Sequence, residues 1–375
     1  MSMNKMFKKV LAVVAAGAMT MGMAMPTFAA DPGKTTEAWI TKTYNTEVGK
    51  AEKFSFTAEQ VKTGTGIITT DAAVTMPEIS FTDTETGTIS KRSQITFPTY
   101  PEAGKYEYTV KEIQTADPAV VNGDHEKMIM SGAEYTMDVY VTDGATGTEI
   151  SNIVVNKVRD DAGQTVTGKG KVDIGNTDTN SFKFTNTYVQ EAGTGTKPTD
   201  PDPTYNENGS LKVSKAVVNA NGTTTTPDAE FEFTATFAFP TGTDANTLGG
   251  IKAANGDTVT SVEGGTYTFK LKANENMKFT GVPVGTTITV KESAAKNYKG
   301  SAEITINGAK LTPVAATSYN TELKAVNNNE KLGQKQNTVD VTNTYNDVPV
   351  TGIIMNTLPY VLMIALCGVA LIAFV

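Results

Sequence analysis

The chain has 375 residues, with 32 Lys and Arg against 40 Asp and Glu, one His and one Cys. The acidic balance argues against nucleic acid as a partner. A single histidine and a single cysteine leave little for His- or Cys-based catalysis or for His/Cys metal sites, and no disulfide can form within the chain.

Residues 1–30 carry Lys5, Lys8 and Lys9, then the apolar run "VLAVVAAGAMTMGMAM", then "PTFAA". This order of charged, apolar and small residues predicts a secretory signal helix, cleaved after Ala29 or Ala30. Its removal leaves 29 basic against 40 acidic side chains, a balance of about −11. An exported chain without a cysteine pair must find its stability elsewhere.

The next segments are rich in Thr, Val and Gly and show no long helical periodicity. Short alternating runs separated by Gly, Asn and Asp predict an all-β protein of two tandem β-sandwich domains. The first covers 31–190. It opens with "AWITKTYN" and "FSFTAE", passes through "AGKYEYTVKEI" (103–113) and closes on "SFKFTNTYVQ" (181–190). Residues 191–210, "EAGTGTKPTDPDPTYNENGS", read as a linker of limited flexibility. The second domain covers 211–347 and repeats the order: "LKVSKAVV", "FEFTATF", "VGTTITVKES" (284–293) and "TVDVTNTYND" (338–347). Val348-Pro349-Val350-Thr351-Gly352 follows, and then an uncharged tail (353–375) that holds Cys367 and is long enough to cross a bilayer as a helix.

The two-residue period of a strand sorts the faces of the repeated segments. Tyr106, Tyr108, Val110 and Glu112 share one face, as do Thr286, Ile288, Val290 and Glu292. Ile40 is in phase with Lys42, and Leu211 and Val213 with Lys215. Phe182, Phe184, Asn186 and Tyr188 align, as do Val339, Val341, Asn343 and Tyr345. The threonines between them fall on the solvent face. Each half therefore directs one Lys, one Glu and one Asn inward. A single inward charge is ordinary at a strand edge, but a full trio in both halves is costly unless its members meet.

These three residue types make one chemical proposal. Burial favours a neutral lysine amine and a protonated glutamate. The amine can attack the asparagine side-chain carbonyl while the carboxyl polarises it and passes a proton to the departing ammonia. The product is an intramolecular isopeptide bond, formed once per domain without a cofactor. Fixed proximity in a folded core supplies the rate.

The pairing of "ITK", "YTVKEI" and "FTNTY" with "VSK", "ITVKES" and "VTNTY" resembles the streptococcal-type backbone pilins. The resemblance implies Ig-like sandwiches related to collagen-adhesin B-type domains. It implies a first bond Lys42–Asn186 promoted by Glu112 and a second Lys215–Asn343 promoted by Glu292. Val348–Gly352 resembles a Leu-Pro-x-Thr-Gly sorting signal. It implies cleavage by a sortase between Thr351 and Gly352 and transfer of the threonyl group to an amine. Pro349 holds the segment extended for an enzyme cleft. The tail stops at Val375 without the basic residues such tails carry, and a truncated sequence and weaker membrane retention both remain open readings, as does a permanent membrane anchor.

The same resemblance implies partners: sortase, other pilin subunits joined covalently, peptidoglycan and a host surface ligand. It places the protein on a Gram-positive cell wall, as a structural shaft subunit and not an enzyme. The acceptor lysine of a neighbouring subunit would lie near the end of the first domain. Lys171, in "GKGKVDIG", is the candidate, with Lys169 and Lys157 behind it. The alternative is a singly anchored adhesin or basal pilin built from the same domains.

Overall fold

Alternating polarity carries directly into alternating burial. Tyr106, Tyr108 and Val110 are fully enclosed while their neighbours Glu107 and Thr109 are only half-buried. The computed structural model describes residues 35–168, 170–174 and 180–346. The signal segment, Lys169, the 348–352 motif with Thr351 and Gly352, and the apolar tail lie outside them. Among the described residues no helix is long and apolar enough to cross a membrane.

The first domain contains β1 (Trp39–Thr46), β2 (Glu52–Phe54), β3 (Phe56–Gln60), β4 (Ile79–Phe81), β5 (Gly87–Gln94) and β6 (Gly104–Glu112). These are followed by β7 (Glu126–Ile129), β8 (Glu134–Gly144), β9 (Gly147–Arg159), β10 (Lys171–Val172) and β11 (Phe182–Gln190). One sheet has the order β5-β1-β11-β7 and the facing sheet β10-β9-β8-β6-β3, with β2 and β4 as a separate pair. An aromatic core of Tyr44, Phe54, Phe56, Phe81, Tyr135 and Phe184 lies between them.

After a short helix α1 (Pro203–Asn208), the second domain begins with β12 (Leu211–Val218), β13 (Phe231–Ala238), β14 (Ile251–Asn255), β15 (Thr258–Val262), β16 (Thr266–Leu271) and β17 (Asn276–Thr280). It continues through β18 (Thr287–Glu292), β19 (Tyr298–Ile306), β20 (Ala309–Lys310), β21 (Val314–Ala315), β22 (Leu323–Lys331) and β23 (Thr338–Tyr345). The larger sheet runs β15-β14-β17-β12-β23-β19-β20, with β21 also on β19, and the smaller runs β16-β13-β18-β22. In both domains the first and last strands, β1 with β11 and β12 with β23, pair in parallel in the interior of a sheet.

The stretch between the sandwiches, expected to be a linker of limited flexibility, packs onto the second domain at its start. Glu191, Ala192 and Thr194 are buried, and Ala192 belongs to the core of the second domain. The amide of Ala192 donates to the Val282 carbonyl and that of Val284 to the Gln190 carbonyl, at 2.9 and 2.8 Å. Gly193 and Gly195 donate to Gly333 and Gln334. Strand β11 thus runs on into the floor of the second domain. Asp202 then caps α1 through the Thr204 amide, and Pro203 sits at its first turn, where a missing N–H costs nothing.

Two inward and outward expectations change at strand ends. Thr187, expected on the solvent face, is buried where β11 meets the second domain, beside Asn45. A Cβ at Gly242 would stand 2.5 Å from its hydroxyl, so only glycine, here at φ +80°, lets that turn approach. Tyr345, expected inward, is exposed at the last position of β23, where it pairs with and lies against Tyr298 of β19.

Candidate functional site

The parallel pairing sets the geometry of both trios. Lys42 is opposite Phe184 in the register of β1 on β11, and Asn186 stands two residues further on the same face. Lys215 is opposite Val341 on β23, and Asn343 again stands two residues further. A four-carbon lysine stem can lean along the strand across that step. The glutamates come from the facing sheets: Glu112 on β6 opposite Phe56, and Glu292 on β18 opposite Phe233. The equivalence of the two sites therefore extends to register.

All six side chains are essentially sealed from solvent, none more than 3% exposed. In the first domain the Lys42 amine lies 2.6 Å from Glu112 Oε1, and the Asn186 amide donates to the same oxygen at 3.1 Å. In the second, Lys215 donates to Glu292 Oε1 at 2.7 Å and Asn343 to that oxygen at 2.8 Å. One carboxyl oxygen thus touches both the lysine nitrogen and the asparagine amide nitrogen. Aromatic rings close the sites: Phe54 lies 4.4 Å below the Lys42 amine and Phe231 4.3 Å below that of Lys215.

Burial is the dominant cause of the electrostatics. It lowers both Lys42 and Lys215 from 10.5 to about 8, against the opposing attraction of their glutamates. It raises Glu112 and Glu292, against the pull of the same lysines. Both shifts act toward the uncharged pair, the form in which an amine is a nucleophile and a carboxyl a proton donor.

Each sequence-predicted trio is therefore brought together. Of the acceptor candidates, Lys171 is exposed on the short edge strand β10, whereas Lys157 on β9 is half-buried and 3.7 Å from Asp161. Two contributors to the first site carry no sequence signal. The Ser131 amide donates to Asn186 Oδ1 at 2.7 Å, and the Ser131 hydroxyl is held by Asp161 at 2.5 Å. Neither belongs to an element of the internal repeat, and a backbone donor leaves no trace in residue type.

Fold and site together define a two-domain β-sandwich protein with a buried Lys–Glu–Asn cluster bridging the sheets of each domain. Residues 38–189 match the family described as the Spy0128-like isopeptide containing domain, and residues 209–345 match a domain family of unknown function. No curated protein matches the chain. Among solved structures, it is similar to the major pilin protein T3.2 from Streptococcus pyogenes, at 21% identity over 84% of this chain and 99% of that one, with a TM-score of 0.32. A second major pilin from Streptococcus pyogenes is 19% identical over 83% and 99%, with a TM-score of 0.33. An adhesin from Mobiluncus mulieris containing intramolecular disulfide, isopeptide and ester bond cross-links is 14% identical over 80% and 86%, with a TM-score of 0.23.

Proposed function

We propose that this chain is the shaft subunit of a sortase-polymerised, cell-wall-anchored pilus, and that each domain locks itself with one Lys–Asn isopeptide bond. The observation that carries the reading is the shared carboxyl oxygen, Glu112 Oε1 or Glu292 Oε1, in contact with both reacting nitrogens. The family match over residues 38–189 supports the same chemistry for the first domain. Lys42 Nζ attacks Asn186 Cγ, the carboxyl takes a proton from the amine and delivers it to Nδ2, and ammonia leaves. Lys215, Glu292 and Asn343 repeat the steps. Closing loops of this length stabilises each domain by about 5 kcal/mol if the chain-entropy treatment of disulfides is carried over.

Polymerisation follows from the Val348–Gly352 motif: a sortase cleaves after Thr351 and joins its carbonyl to a lysine of the next subunit, with Lys171 as the candidate acceptor. Host surface ligands and peptidoglycan are the remaining partners of this reading. The test has two parts. The intact mass of residues 31–351 is expected to fall short of the sequence mass by two ammonia molecules, and Glu112→Ala or Glu292→Ala to restore one each. A full-mass protein would sink the crosslink. Boiled cell-wall extracts are expected to show a high-mass ladder that collapses on Lys171→Ala. A single monomer-sized band would instead favour the singly anchored adhesin.

A further inference from the structure

The two sites share their nitrogens' partner but not the surroundings of the carbonyl that is attacked. In the first domain, Asn186 Oδ1 receives the Ser131 amide at 2.7 Å. In the second, Asn343 Oδ1 has no hydrogen-bond partner among the described residues. The difference traces to the neighbouring strand. Gly300 of β19 lies opposite Asn343, and a Cβ built on it would stand 3.1 Å from Oδ1, so this carbonyl faces the bare side of a glycine. At the first site the neighbouring segment leaves β7 after Ile129, and its turn brings Met130 Sδ to 3.3 Å from Asn186 Nδ2 and the Ser131 N–H onto Oδ1.

We infer that the Ser131 backbone N–H is an oxyanion donor for the first crosslink, that Asp161 is the residue that positions it, and that the first bond therefore forms ahead of the second. The inference rests on the isopeptide chemistry proposed above. When Lys42 Nζ bonds to Cγ of Asn186, the carbonyl π pair moves onto Oδ1 and a negative charge develops there. The Ser131 N–H already points at that oxygen. As the pair returns, the Cγ–Nδ2 bond breaks and ammonia departs with the proton relayed by Glu112. A fixed donor at a developing oxyanion is worth on the order of 100-fold in rate. Asn343 passes through the same charge with no such donor among the described residues.

Asp161 fixes the donor from three directions. Its Oδ1 accepts from the Ser131 hydroxyl at 2.5 Å and from the Thr185 amide at 2.8 Å, and its carbonyl accepts from the Gly132 amide at 2.8 Å. Thr185 directly precedes Asn186, so one carboxylate ties the donor's turn to the strand that carries the electrophile. Its charge acts the other way. Asp161 favours the protonated form of Lys42, so removing that charge alone would make the amine more available and speed the bond. Positioning and charge thus predict opposite signs for the same substitution.

The experiment follows the full chain made in a cell-free system, quenched in acid denaturant at intervals and digested. The crosslinked peptides that contain Lys42–Asn186 and Lys215–Asn343 are counted by mass. The first is expected to lead the second by about tenfold or more in rate, somewhat less than the full worth of a donor. Asp161→Ala is expected to slow the first bond by about as much and leave the second unchanged. Asp161→Asn, which keeps an acceptor at Oδ1 but not the charge, is expected to recover most of the loss. Equal rates in the parent chain, or an unslowed first bond in Asp161→Ala, would overturn the inference while both crosslinked peptides still appear. If Asp161→Ala fails to fold, the comparison of the two sites in the parent chain decides. The lack of either peptide even at long times would overturn the proposed chemistry and this inference with it.

Discussion

Burial holds Lys42 and Lys215 below the ordinary lysine range, and their titration can be read in a chain that lacks the two asparagines. In an Asn186→Ala, Asn343→Ala chain the proposed bonds cannot form, and both lysines are expected to stay enclosed. Their folded value of about 8 lies below the unfolded 10.5. Above about pH 8 the folded chain therefore releases protons that the unfolded chain still holds, and stability rises with pH. Glu112 and Glu292 are raised, so they act oppositely at lower pH: stability falls as pH climbs above their ordinary range. Buried tyrosines such as Tyr44 and Tyr188, also raised, oppose the lysines only above about pH 10. Denaturant unfolding is expected to gain on the order of 1 kcal/mol per lysine between about pH 8 and 10. Adding Lys42→Met and Lys215→Met should flatten the curve, and a rise that survives them would assign it elsewhere. These six residues were legible in the sequence because each is a polar side chain in phase with an apolar face, twice over. The Ser131 amide and Asp161 were not, since neither a main-chain donor nor a loop carboxylate disturbs any periodicity.

At the scale of elements, the strands were legible, and the partners that the connection between the domains finds were not. Pro, Gly and Thr in 191–210 have the composition of a spacer, but composition does not report which main-chain groups find partners. Glu191 shows what was hidden. It is 1% exposed, and its Oε1 accepts from the Tyr205 hydroxyl at 2.7 Å, the Ser210 hydroxyl at 2.7 Å and the Gly281 amide. Its Oε2 lies 2.6 Å from Nδ1 of His125, the sole histidine, on the first domain. One carboxylate therefore ties the loop before β7, the segment of α1 and the β17–β18 turn into a single joint. A second tie, Glu47 with Lys331, lies at 3.2 Å, where a Cβ on Gly285 would strike the Glu47 stem. Removing the Glu191 carboxylate strands buried donors whose desolvation costs about 1–3 kcal/mol each. Glu191→Ala is expected to leave both crosslinks intact by mass yet expose 191–210 to limited proteolysis and broaden the small-angle scattering profile. A joint as resistant as the parent's would show that the main-chain pairing alone holds the domains.

For the whole molecule, the two proposed crosslinks and the joint would together set where tension goes. With both bonds formed, a pull between residues 35 and 346 passes from Lys42 straight to Asn186, along 187–214, from Lys215 straight to Asn343, and out. The parallel pairing of β1 with β11 and of β12 with β23 makes this short path available, because the first and last strands of each domain lie side by side. Nearly all of each sandwich is then outside the loaded path, and the interdomain segment is the part left to extend. Fully stretched, residues 187–214 span at most about 100 Å. Single-molecule pulling of the parent chain between these two ends is therefore expected to yield no unfolding step longer than about 100 Å. Glu112→Ala should add one step of about 500 Å as residues 43–185 enter the path, and Glu292→Ala one of similar size from 216–342. A parent chain that releases a step of several hundred ångström would mean that at least one domain bears load without its bond. The Glu191 joint should set the force of the short step, so Glu191→Ala is expected to lower that force without changing its length.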